Sequence, residues 1–151
     1  MTQIFKTADK GKVVDIAKHT MEELKKCPYV EIHIGTDSQN SGHTTTFSTV
    51  IAYRYPSRGV HYIESTQRIP KIRDRWTRLW KEAEMTIQTA DLLTEQISVK
   101  VELDFDFNID EKYFSSKLVQ STSGWATSLG YKVNVKPDNQ IATRAADHRC
   151  R

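Results

Sequence analysis

At 151 residues, 38% hydrophobic and 27% charged, the chain has the length and composition of one globular domain and of neither a disordered nor a fibrous protein. Its net charge of +3 is too small to argue nucleic-acid binding from the whole chain, and its two cysteines, Cys27 and Cys150, lack the spacing of a zinc site and read as free thiols. No run of about 18 apolar residues could span a bilayer, and "MTQIFKTADKGK" lacks the apolar core of a secretory signal, so a cytoplasmic protein without a membrane partner is expected.

Val13, Ile16, Ala17, Thr20 and Leu24 fall at helical spacing, which predicts an amphipathic helix from about Asp9 to Lys26. Three strand-like runs follow, Val30 to Thr36, His43 to Tyr55 and Val60 to Ile69, joined by the turn-rich links "SQNSG" and "PSRG" that antiparallel hairpins use. The first run is expected to break at Gly35 and Thr36 and leave Asp37 at its mouth. After Pro70 the period changes. Trp76, Leu79, Trp80, Ala83, Ile87 and Ala90 recur at three and four residues, as in a long helix laying one stripe on a sheet. In "ISVKVELDFDFN", Val99, Val101, Leu103, Phe105 and Phe107 alternate with Lys100, Glu102, Asp104, Asp106 and Asn108, the pattern of a strand with one apolar and one polar face. A helix from about Glu111 to Leu129 ends at Gly130, "YKVNVKP" reads as a fifth strand, and "NQIATRAADHRC" as a final helix. The order helix, βββ, α, β, α, β, α argues an α/β fold with a mixed sheet and helices packed on it, and no boundary divides residues 1–151.

Charge is concentrated in one place. Arg68, Lys71, Arg73, Arg75, Arg78 and Lys81 stand against a single acid, Asp74, with Trp76 and Trp80 interleaved. Such a segment suits a nucleic-acid backbone, and equally a solvated helix face whose tryptophans enter the core.

Four acids stand out by position: Asp37 at the end of the first strand, Glu84 in the long helix, Asp106 toward the end of the fourth strand and Asp147 on the last helix. If the first and fourth strands are parallel neighbours, their carboxyl ends open on one side of the sheet, where α/β proteins place their sites. Setting Asp37 opposite Asp106 puts His33 opposite Glu102 and Glu31 opposite Lys100, two complementary pairs, whereas a shift of two residues sets Glu31 against Glu102. Clustered carboxylates raise one another's pKa unless a cation joins them, and Mg²⁺ or Mn²⁺ is the cation that prefers all-oxygen ligands. Each acid also has a plainer reading: Asp37 as an Asx-turn residue, Asp106 as part of a solvated edge, Glu84 as an exposed helix residue with Glu82 as its rival, and Asp147 as a polar residue of a terminal helix that Asp138 caps.

The segments "GTDSQ" (Gly35 to Gln39), "RLWKEAE", "DFDFN" (Asp104 to Asn108) and "KPDNQIATRAADH" (Lys136 to His148) resemble the ribonuclease H-like YkuK family over roughly residues 5–151. The resemblance implies a ribonuclease H-like, five-stranded mixed sheet in the order 3-2-1-4-5 flanked by helices, here with an extra N-terminal helix. It also implies an acid set: Asp37 in the strand-one place, Glu84 in the helix place, Asp106 on strand four, and Asp147 as the last acid. The family carries a histidine where this chain has Asp104, so Asp104 either adds a metal ligand or adds repulsion.

Three readings follow. The first is a nuclease that hydrolyses phosphodiesters of RNA, RNA–DNA hybrid or structured DNA by a two-metal mechanism, with Asp37, Glu84, Asp106 and Asp147 holding Mg²⁺ or Mn²⁺, and with Arg68, Lys71, Arg73, Arg75 and Arg78 on phosphates. The second is a catalytically inactive nucleic-acid- or protein-binding module on the same fold. The third is an assembly protein that forms a homodimer through its polar sheet face and tryptophan helix.

Overall fold

The computed structural model describes residues 3–57, 59–108 and 114–136, with the backbone alone at 106–108, 114–116, 119 and 136. Its elements in chain order are β1 (Phe5–Thr7), β2 (Val13–Val14), α1 (Ile16–Lys26), β3 (Glu31–Ser41), β4 (Thr44–Tyr55), β5 (Gly59–Pro70), α2 (Arg75–Gln96), β6 (Glu102–Asn108), α3 (Phe114–Ser128) and β7 (Lys132–Lys136). The expected final helix, with Asp138 and Asp147, lies outside the described residues.

The strands form one sheet in the order β2-β1-β5-β4-β3-β6-β7. Its inner part, β5-β4-β3-β6-β7, is the expected 3-2-1-4-5 arrangement: an antiparallel meander joined to two parallel strands, each reached through a helix. The expected strand number of five is corrected to seven, because β1 and β2 add to the β5 edge. These strands are three and two residues long, too short to leave a period in the sequence, and β2 occupies part of the stretch read as the start of the first helix. Helix α1 begins only at Ile16, where the Asp15 carboxylate accepts the Lys18 N–H at 3.0 Å and so satisfies one orphan donor of the first turn.

Strand β3 does not break at Gly35. It runs through Asp37 to Ser41, paired with β4 from Glu31–Arg54 to Ser41–Thr44, and the chain reverses at Gly42 and His43. Gly42 has φ 60°, the positive value required at the first position of a two-residue hairpin turn. Asp37 is therefore a ladder residue rather than an Asx-turn residue.

One sheet face carries Ile32, Ile34, Ile51, Tyr53, Ile63, Leu103 and Phe105. Helices α1, α2 and α3 cover it with Ile16, Ala17, Ala83, Ile87, Ala90, Leu93, Leu118 and Ala126. Each fully buried aliphatic side chain contributes about 1.5–3 kcal/mol relative to its exposed state, so this layer is the main source of stability. Alternation along the strands sends the residues between them to the opposite face: His33, Gly35 and Asp37 on β3, Glu102 and Asp104 on β6. Among the described residues, no helix is long and apolar enough to cross a membrane.

Candidate functional site

The site is set by the ladder between the two central strands. β3 and β6 run parallel with His33 opposite Glu102, Ile34 opposite Leu103 and Gly35 opposite Asp104. The ladder ends at Gly35 and Asp104, two residues before Asp37 on β3 and Asp106 on β6, and the pairing of β6 with β7 shifts register between Phe105 and Asn108. Asp37 is half-buried and stands directly across from Ser48 of β4. Opposed residues of antiparallel strands share a face, so the Ser48 hydroxyl is a neighbour of the Asp37 carboxylate. Ser48 is fully buried, and its Oγ has no hydrogen-bond partner among the described residues. A buried hydroxyl in that state costs about 1–3 kcal/mol unless something else satisfies it.

Beneath this row lies a closed polar cluster. His33 and Asp104 are both inaccessible, and His33 Nδ1 lies 3.2 Å from Asp104 Oδ1. On its other side His33 Nε2 faces Glu31 Oε1 at 3.3 Å and Glu102 Oε2 at 3.9 Å. The Asn134 amide donates to Asp104 Oδ1 at 2.9 Å and to Glu102 Oε1 at 3.1 Å. Burial opposes protonation of His33, but the Asp104 hydrogen bond and the charges of Asp104 and Glu102 outweigh it and raise its pKa. Burial likewise works to raise the Glu102 carboxyl, and the Asn134 bond, the His33 charge and Lys132 at 3.3 Å together hold it below its usual value. Glu31, His33 and Glu102 are close enough to share an ion. A histidine with carboxylates at both nitrogens is instead a double donor, and an imidazolium has no lone pair to offer a metal. These carboxylates favour the protonated form of His33.

The long helix brings a different acid to β3 than the one chosen from the sequence pattern. Glu82 is 4% exposed and accepts a hydrogen bond from Ser38, the residue after Asp37. One turn on, Thr86 Oγ1 lies 2.9 Å from Thr36 Oγ1, which in turn lies 3.1 Å from Thr49 Oγ1. Glu84 is half-buried on the flank of α2, with Lys81 Nζ 3.5 Å from its Oε1. Asp106 is placed by its backbone in β6.

The basic segment is fastened to the same end of the sheet. The Asn40 amide donates to the Ile72 carbonyl at 3.1 Å, the Ile72 N–H donates to Thr45 Oγ1 at 2.8 Å, and the Lys71 N–H donates to the His43 carbonyl at 3.0 Å. Asp74 caps α2 by accepting the Thr77 N–H at 2.9 Å. Arg68, Arg73 and Arg75 are exposed, while Lys71 and Arg78 are half-buried. Trp76 and Trp80 pack against the core, and Trp80 stacks on Trp125 of α3 with ring centroids 5.9 Å apart. The tryptophans thus join helices, and the arginines and Lys71 carry the charge of this surface.

A family model described as ribonuclease H-like matches residues 12–151. The chain belongs to the ribonuclease H-like family. Comparison with curated proteins gives no match. The family match bears out the resemblance drawn from "GTDSQ", "RLWKEAE" and the later segments, and it fits the α/β sheet with its helical layer. Within this ribonuclease H-like fold the His33–Asp104–Asn134 cluster was visible in the sequence only as a His33–Glu102 pairing, because Asn134 enters from β7. The inward position of Glu82 has a signal in the sequence: Glu82, Thr86, Thr89 and Leu93 form one buried row on α2, found only if threonines count as core residues.

Proposed function

We propose that the chain is a nuclease of the ribonuclease H-like family, hydrolysing phosphodiester bonds at the end of β3 with Mg²⁺ or Mn²⁺. The observation that supports this reading is the parallel β3–β6 pairing, whose last pair, Gly35 and Asp104, lies two residues before Asp37 and Asp106 on adjacent central strands. The donor set suits a hard cation: Asp37, Asp106, a helix acid and Asp147 are all oxygen ligands. The buried Ser48 hydroxyl beside Asp37 supplies one more oxygen that lacks a partner among the described residues. Both helix acids are kept as candidates: Glu82 is held to β3 through Ser38, on the helix-covered face and not on the face of Asp37, and Glu84 faces Lys81.

When bound, the ion would supply Lewis-acid activation of water and neutralise charge at the leaving 3′-oxygen. The chain's own residues do the rest. Asp37 would offer its carboxylate from the paired interior of β3, so little would be lost to reorganisation there, and Asp106 would add a second from β6. Arg68, Lys71, Arg73, Arg75 and Arg78 bind phosphates and set the register of the nucleic acid, and the Asn40 and Thr45 bonds hold that segment to the strand end that carries Asp37.

The test is cleavage of single-stranded RNA, RNA–DNA hybrid and branched DNA in Mg²⁺ or Mn²⁺, with Asp37→Asn expected to abolish it. A wild type inert on the whole panel, with no heat on Mn²⁺ titration, overturns the reading. The buried contact of His33 with Asp104, which gives that acid a partner without a metal, favours a second reading as a binding module. On that reading, neutralising Arg73, Arg75 and Arg78 weakens nucleic-acid binding and Asp37→Asn changes nothing.

A further inference from the structure

A second group of donors ties α1 to the sheet on the helix-covered face. His19 and Glu23 are four residues apart on α1, so they project from one side of the helix, and His61 stands on β5 opposite Tyr53 of β4. His19 Nε2 and His61 Nε2 are 2.8 Å apart, and with a Glu23 oxygen they lie within 4.8 Å of one another. Neighbouring groups fix all three. The Tyr53 ring stacks on His61 at 5.8 Å and meets His19 edge-on at 5.6 Å, while its hydroxyl lies 2.7 Å from Thr20 Oγ1. Tyr55 donates to Glu23 Oε1, and Lys26 Nζ lies 3.1 Å from Glu23 Oε2. Glu23 is 3% exposed, whereas both imidazoles are half-buried and line a cleft of about 780 Å³ together with Lys10, Lys12 and Lys18.

We propose that His19, Glu23 and His61 form a binding site for a transition metal of the Zn²⁺ class. An Nε2 to Nε2 contact requires one ring to accept, so a lone pair already points into the space between the rings. Zn–N bonds of about 2.0–2.1 Å in tetrahedral geometry set two nitrogens about 3.4 Å apart, so the rings need part by only about 0.6 Å to admit the ion. Each Glu23 oxygen accepts one bond and keeps a second lone pair. Two imidazoles among three donors select Zn²⁺ over Mg²⁺ or Ca²⁺, in contrast to the all-oxygen set around Asp37. The support is of the kind metal sites use, with Tyr55 and Lys26 orienting the carboxylate and Tyr53 orienting the rings. Three protein ligands leave a fourth position, and the cleft, lined by Asp9, Asp15 and Glu22 as well as by the lysines, gives a water access to it.

The test is calorimetric titration of the full chain with Zn²⁺ in excess Mg²⁺, in a Cys27→Ser/Cys150→Ser background that removes thiol competition. One Zn²⁺ per chain is expected, and His19→Ala and His61→Ala should each weaken it more than about tenfold. A readout independent of those variants' folding comes from the imidazole nitrogen resonances of the protein with all its histidines in place. Zn²⁺ should shift those of His19 and His61 and leave those of His33 unmoved. No Zn²⁺ binding, Zn²⁺ binding that both alanine variants retain, or shifts confined to other histidines would overturn the proposal.

Discussion

Asp104→Ala takes one carboxylate from two buried donors at once. Asp104 and His33 are both 0% exposed, and a single oxygen, Asp104 Oδ1, serves His33 Nδ1 at 3.2 Å and Asn134 Nδ2 at 2.9 Å. Removing one partner of a buried charge pair costs about 3–5 kcal/mol, while Asn134 keeps Glu102 as an acceptor and adds little. The expected fall in Tm is roughly 10–15 °C for a domain of this size. Asp104→Asn keeps one acceptor oxygen and should cost about 1–3 kcal/mol. A pH series separates charge from shape. His33 has a folded pKa raised above 6.5, so its contribution is complete below 6.5 and is lost as pH rises through the raised value. Glu102 has a folded pKa lowered from 4.5, so its contribution is present above 4.5 and is lost as pH falls through the lowered value. The cluster is therefore strongest between 4.5 and 6.5. Urea unfolding at about pH 6 and about pH 9 reads this directly: wild type should lose stability between the two, and Asp104→Asn should lose less. A cost under about 1 kcal/mol for Asp104→Ala, or an unchanged pH slope in Asp104→Asn, would refute a protonated His33 held by Asp104.

Three further outcomes are expected. If Glu82 is the helix acid, Glu82→Gln should lower cleavage about 10–100-fold and Glu84→Gln far less, and the opposite ranking reassigns the role to Glu84. Asn40→Ala removes the bond to the Ile72 carbonyl at 3.1 Å, and faster amide exchange at Ile72 and Arg73 with unchanged exchange at Ile51 would show that the basic segment has come loose. Replacing Arg73, Arg75 and Arg78 together by alanine should flatten the dependence of log K on log salt by about 2–3 for any bound nucleic acid, and an unchanged slope would place phosphate contacts elsewhere.

The central register was legible because "ISVKVELDFDFN" writes its polar face in charged residues, and setting His33 opposite Glu102 avoids the Glu31–Glu102 opposition that a two-residue shift creates. The meander order was legible from two turn-rich links of ordinary length. The edge strands were not, since Phe5–Thr7 and Val13–Val14 are too short for alternation to register. The first helix was therefore begun too early. Continuity of β3 through Asp37 was missed because Gly35 and Thr36 read locally as a break, while eleven ladder pairs with β4 override that preference. Histidines carry no period, so the meeting of His19 with His61 required the fold. The candidate acid set was readable only as four separate positions, since the parallel pairing that sets Gly35 opposite Asp104 joins strands far apart in the chain.

The two ends of the seven-stranded sheet have a consequence for how this molecule meets others. One border is β2, two residues long and preceded by Lys12, and the other is β7, five residues long with Lys132 and Lys136 at its ends. So little unpaired backbone, flanked by positive charge, gives a foreign strand almost nothing to zip onto. Among the described residues, then, neither border offers a long template along which a second copy could extend the sheet.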